Sequence, residues 1–276
     1  MNDDLSTGID YVKSMDGTVI SYSVSGEGPG LAIIHGSFRA SHHYMRLVEE
    51  LAGSFTVYAI DRRGRGGSGP QGSGYCLKKE CEDIIAVLQK HDIKHLFGHS
   101  YGGFISLNTA LEYPLAKLAV YEAPVSVDGS VPVAWLPRFE KELREEAYIE
   151  AFVTFMKGLK MGGAVSKLPR VVLTKIFGLM SQKPEWGETS RLMHTIPSEL
   201  REVTALDSDT QRYNAITAQT LVMSGSKSPD YLVSAAHILQ AAIPGARILN
   251  LEGLDHNAPD ENAPEKIAAV LKDFFV

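Results

Sequence analysis

The sequence predicts an α/β protein, a mostly parallel sheet flanked by helices and carrying a helical insertion. From Leu31 onwards, short apolar runs alternate with amphipathic stretches, which is how a parallel sheet with crossover helices reads in sequence. The runs are almost continuously hydrophobic, as strands buried on both faces require. One long segment, from about Pro124 to Tyr213, holds helical stripes and no strand-like run.

Taken in order, Ile9 to Ser14 and Thr18 to Ser25 alternate apolar and polar residues around Asp16-Gly17, a hairpin pattern. Six buried strands follow, at 31–35, 55–60, 95–99, 118–122, 220–225 and 246–251. Between them run period-3.6 stripes such as Tyr44, Leu47, Val48 and Leu51, and later Ile267, Val270, Leu271 and Phe274. Within the insertion, Ile149, Phe152, Val153 and Met156 form one stripe, and Val172, Ile176, Phe177 and Met180 another. Pro132, Pro137, Pro169, Pro184 and Pro197 cut the segment into short helices.

Bulk properties narrow the function. A chain of 276 residues, 44% hydrophobic and 22% charged, is ordinary for a globular protein. It is long enough to bury roughly three quarters of its unfolded surface. The net charge of −6 and pI near 5.9 argue against nucleic acid as a partner, because phosphate binding needs a basic footprint. The opening MNDDLSTGID has no signal pattern, and no apolar run reaches membrane-spanning length. The expectation is a cytoplasmic protein with a small-molecule substrate and no membrane partner. Cys76 and Cys81 cannot make a disulfide framework, and Cys81 shares an apolar stripe with Ile84, Ile85 and Leu88, as a reduced core thiol does. No clustered ligands accompany them, so no metal is expected.

Gly98-His99-Ser100-Tyr101-Gly102 lies between a strand and a helix, and that context makes the G-x-S-x-G pattern informative. A sharp strand-to-helix turn points the serine hydroxyl outwards, and side chains in place of the glycines would collide with it. The turn also sets the Tyr101 N–H at a helix N-terminus, where it can stabilise an oxyanion. Ser100 is therefore the candidate nucleophile, and His99 reads as a packing or hydrogen-bonding residue. Asp61-Arg62-Arg63-Gly64-Arg65-Gly66-Gly67-Ser68-Gly69 invites a phosphate-loop reading, but it lacks Gly-Lys-Ser/Thr and opens no helix. His42 and His43 read as surface or packing residues near a pocket mouth.

Over almost its full length the chain resembles the α/β-hydrolase-fold enzymes. The resemblance rests on four motifs in that family's order: HGS at 35–37, DRRGRGGSG at 61–69, GHSYGG at 98–103 and GLDH at 253–256. It implies an eight-stranded sheet, with a core of residues 1–124 and 213–276 and a helical cap of residues 125–212. It also implies His256 as the catalytic base, Ser37 as the second oxyanion donor with Phe38 as the alternative, and no cofactor. The position of the 61–69 loop is similar to that of a structural loop of the α/β-hydrolase fold, and that likeness implies that Asp61 and the arginines pin neighbouring turns. In most relatives the triad acid stands three residues after the glycine that here is Gly225, but this chain has Ser228 there. Glu122 ends an apolar strand, where a carboxylate is costly to bury without a partner, and some family members take their acid from that strand tip. Glu122 is the preferred acid and Asp230 the alternative.

The insertion's Phe152, Phe155, Met156, Met161, Phe177, Met180, Trp186 and Met193 are expected to pack mostly within the insertion itself, with a subset lining an apolar pocket. The expected reaction is cleavage of a small or medium hydrophobic ester. A serine nucleophile sets the chain apart from the haloalkane dehalogenases and epoxide hydrolases, which use aspartate. It leaves open carbon–carbon hydrolases, lyases, cofactor-free haloperoxidases and slow-turnover small-molecule receptors of the same fold.

Overall fold

A computed structural model describes residues 8–184 and 186–276; the first seven residues of the opening segment read above lie outside the described residues. Eight strands form one sheet in the order β1-β2-β4-β3-β5-β6-β7-β8. They are β1 (Gly8–Lys13), β2 (Val19–Ser25), β3 (Gly30–Ile34), β4 (Thr56–Ile60), β5 (His95–His99), β6 (Lys117–Tyr121), β7 (Gln219–Gly225) and β8 (Arg247–Leu251). β1 and β2 pair antiparallel as the hairpin pattern required, β2 joins β4 antiparallel, and every later pairing is parallel. The central strands β3, β5, β6 and β7 are buried on both faces. β8 departs from the expectation, because as an edge strand it leaves Arg247, Leu249 and Asn250 exposed.

Two apolar layers cover the sheet. α1 (Met45–Ala52) and α10 (Pro264–Phe275) pack on one face through Leu47, Leu51, Ile267 and Leu271. α2 (Leu77–Lys90), α3 (Tyr101–Glu112) and α9 (Asp230–Ala242) cover the other. Cys81 is a buried free thiol on the inward face of α2 with Ile84 and Leu88, while Ile85 is half-buried.

Among the described residues, five α-helices separate β6 from β7: α4 (Leu136–Arg144), α5 (Tyr148–Gly158), α6 (Arg170–Met180), α7 (Trp186–Met193) and α8 (Ile196–Ala205). The α5 stripe buries Val153 and Met156. The α6 stripe behaves otherwise. Leu173 and Phe177 face inward, whereas Val172, Ile176 and Met180 are exposed. No described helix is long and apolar enough to cross a membrane.

Candidate active site

The C-terminal ends of β3, β5, β6 and β8 bring the sequence-predicted residues together. Ser100 occupies the single residue between β5 and α3, with φ 53° and ψ −126°. A left-handed φ is costly for a residue with a Cβ, and here the turn is held by a 2.8 Å bond from the Ser100 N–H to the Tyr121 carbonyl. The neighbouring glycine is a steric necessity. A Cβ on Gly102 would lie 2.3 Å from the Ile34 carbonyl oxygen.

His256 stands in the loop after β8, pinned by a 2.7 Å bond from the Tyr121 hydroxyl to the Asp255 carbonyl. Its Nε2 is 3.1 Å from the Ser100 Oγ, and its Nδ1 is 2.6 Å from Glu122 Oε2. The other carboxylate oxygen, Oε1, accepts the Gly225 N–H at 2.7 Å. Glu122 follows β6, has φ 52° and is 1% exposed. Burial pushes its carboxyl up, but the bond and charge of His256, with the Gly225 N–H, outweigh that and hold it below the usual glutamate value. The carboxylate therefore stays ionised beside the imidazole. Asp230 is exposed, as the first residue of α9, and no hydrogen bond joins it to His256 among the described residues. The buried Ser228 faces Glu122 instead, at the position where most relatives carry their acid.

The loop after β3 lies against Ser100: a Cβ on Gly36 would sit 2.9 Å from Ser100 Cβ. Among the described residues, no hydrogen bond uses the backbone N–H of Ser37 or Phe38. Phe38 takes a left-handed φ of 60° and turns its ring onto Phe155, 4.6 Å between centroids. The Ser37 side chain points elsewhere, its hydroxyl donating to Glu199 of α8 at 2.5 Å. His99 is buried next to His256, their rings 4.8 Å apart, and its Nδ1 receives the Tyr44 hydroxyl at 2.5 Å. Burial and the nearby His256 hold His99 well below the usual histidine value, so it stays neutral.

The glycine-arginine loop packs as a structural loop whose arginines reach both turns and helices: Arg63 holds Asp16 of the β1–β2 turn at 3.1 Å, and the other ion pairs run to helices. Asp61 accepts the N–H groups of Ser41 and Gly67. Arg62 bridges Glu80 of α2 at 2.6 Å and Glu199 at 2.7 Å; Arg65 pairs with the same Glu199 and with Thr195. Arg63 meets Asp83 at 2.7 Å. Glu199 is buried on the apolar stripe of α8, beside Ile196, Leu200 and Val203. Burial raises its carboxyl, and Arg62, Arg65 and Ser37 overcome that to hold it below the usual value. A second clamp joins Arg39 to Asp260 and Glu261, tying the loop after β3 to the segment following His256.

Glu199→Gln should leave Arg62 with Glu80 alone and take from Arg65 the one carboxylate paired with it among the described residues. Unfolding in urea is expected to show a loss of about 3 kcal/mol with an unchanged m-value. Removing the exposed Arg201–Glu140 pair by Arg201→Ala should cost less than about 1 kcal/mol. Equal losses in the two variants would refute a buried charge cluster.

Ser100, His256, Ser37, Phe38 and Tyr101 all line one cavity of about 530 Å³. Phe152, Phe155, Met156, Phe177 and Trp186 line it too, so most of the aromatic and Met set faces the pocket; Met193 is buried in the core. At the rim, His42 and His43 stand 3.3 and 4.0 Å from Glu188 of α7. These three are the group with metal-ligand spacing among the described residues, their donor atoms lying within 4.8 Å of one another.

Comparison with known proteins agrees with this architecture. An alpha/beta hydrolase from Sphaerobacter thermophilus superposes with TM-score 0.81 at 33% identity, covering 97% of this chain and 100% of that one. The 2-(acetamidomethylene)succinate hydrolase of Mesorhizobium japonicum is 25% identical over 91% of this chain and 89% of its own length. A fluoroacetate dehalogenase from a Burkholderia species is 31% identical, but over 37% of this chain and only 36% of the dehalogenase. Residues 31–270 match the alpha/beta hydrolase family, and the chain belongs to it.

Proposed function

We propose that the protein is a serine hydrolase cleaving a small or medium hydrophobic ester. The observation that carries this reading is the 3.1 Å approach of His256 Nε2 to Ser100 Oγ on the wall of an apolar cavity of about 530 Å³. His256 takes the Ser100 proton as the oxygen attacks the ester carbonyl carbon. The resulting oxyanion is received by the N–H of Tyr101 and by that of Ser37 or Phe38. The imidazolium, held against Glu122, gives its proton to the leaving alkoxide, and the alcohol departs. Water, deprotonated by the same imidazole, then releases the acid from the acyl-serine.

A series of p-nitrophenyl esters of rising chain length tests the reading. Each added methylene buried against the pocket aromatics should raise kcat/KM about fourfold, until the cavity is filled. Turnover of none of them would overturn the ester assignment.

A further inference from the structure

We propose that the outer face of α6 and the turn before it dock on an anionic phospholipid bilayer surface. Val171, Val172, Ile176, Leu179 and Met180 are 68, 41, 39, 72 and 44% exposed, and Val165 and Leu168 extend the patch at 45 and 37%. On a helix of 3.6 residues per turn these α6 side chains and Lys175 share roughly one half of the circumference. The opposite half holds the buried Leu173 and Phe177. A contiguous apolar surface of this kind marks a contact with something outside the chain.

Charge identifies what that contact is. Although the net charge is −6, no acidic residue occurs between Glu150 and Glu185, while Lys157, Lys160, Lys167, Arg170, Lys175 and Lys183 all do. The five lysines are exposed around the apolar patch. Exposed aliphatic residues ringed by lysines suit the boundary between anionic headgroups and acyl chains. A second copy of the chain fits less well, because a two-fold dimer on this face would bring the lysines of both copies together. Met180 belongs both to the exposed face and to the cavity lining, and Lys183 lines the cavity as well, so the face borders the pocket mouth. The absence of a membrane partner expected from the sequence rested on spanning length and does not bear on surface docking.

Cosedimentation with vesicles of phosphatidylcholine, alone or with about one third phosphatidylglycerol, tests the proposal without any turnover. At low salt the protein should sediment with the anionic vesicles and stay in solution with the neutral ones. K160E/K167E/K175E should weaken partitioning by at least about 100-fold, since each basic residue is worth about fivefold. V171S/L179S should weaken it at unchanged charge. All five sites are exposed, and an unchanged melting temperature checks that each variant is folded. Failure to sediment with anionic vesicles, or equal sedimentation by the variants, overturns the proposal. So does a wild-type dimer in light scattering that V171S/L179S dissolves.

Discussion

Replacing Ser100 by alanine is expected to lower kcat/KM for the best ester by about 10⁵-fold, in line with the loss of a nucleophile that acts as a unit with its base. The reason is chemical. Without Oγ no acyl-serine can form, and the imidazole at 3.1 Å has no alcohol to deprotonate. The proposed oxyanion donors and the pocket remain, so a residual rate above that of water is expected. Covalent labelling by a fluorophosphonate probe should disappear in the same variant, because that reagent reports an activated serine directly. Removing a hydroxyl from a residue held at φ 53° changes no backbone bond, so the melting temperature should stay within a few degrees. Alanine enzyme that still turns over esters at a tenth of the wild-type rate would sink the assignment.

The parts of this site that could be read in the sequence are those whose local pattern is also their chemistry. Ser100 is flanked by glycines because the turn leaves no room for side chains, so the motif and its geometry are one fact. Glu122 betrayed itself as a carboxylate ending an apolar strand, and it is buried against an imidazole. Glu199 carried the same signature on α8, a carboxylate among Ile196, Leu200 and Val203, but its partners Arg62 and Arg65 lie far away in sequence. Periodicity shows that such a charge needs a partner and cannot say which. For the same reason Arg39, which clamps Asp260 and Glu261, gave no signal. The strands were legible because burial on both faces writes itself as unbroken hydrophobicity. β8, exposed at the sheet edge, is apolar enough to imitate that pattern. α6 misled in the opposite sense: an apolar stripe predicts burial, and Val172, Ile176 and Met180 of this one face outward while Phe177 alone of the four is buried.

Glu122→Gln should lower kcat by about 10³-fold, while Asp230→Asn should change it by less than about threefold. In the proposed mechanism a carboxylate at 2.6 Å from Nδ1 fixes the tautomer that leaves Nε2 free to accept the Ser100 proton, and it offsets the positive charge that follows. The amide of glutamine can present its N–H to Nδ1 and favour the opposite tautomer, which removes the base from the nucleophile. Its neutral oxygen also gives the imidazolium no counter-charge, in a site where burial magnifies the loss. Asp230, exposed at the start of α9, has no comparable lever. The buried Ser228 sharpens the test, because it faces Glu122 from the tip of the neighbouring strand. Glu122→Ala should be nearly inactive, and adding Ser228→Asp should recover at least tenfold by supplying a carboxylate from the other side. If Asp230→Asn proves slower than Glu122→Gln, the acid comes from the other strand tip, and the 2.6 Å contact serves only to place the loop.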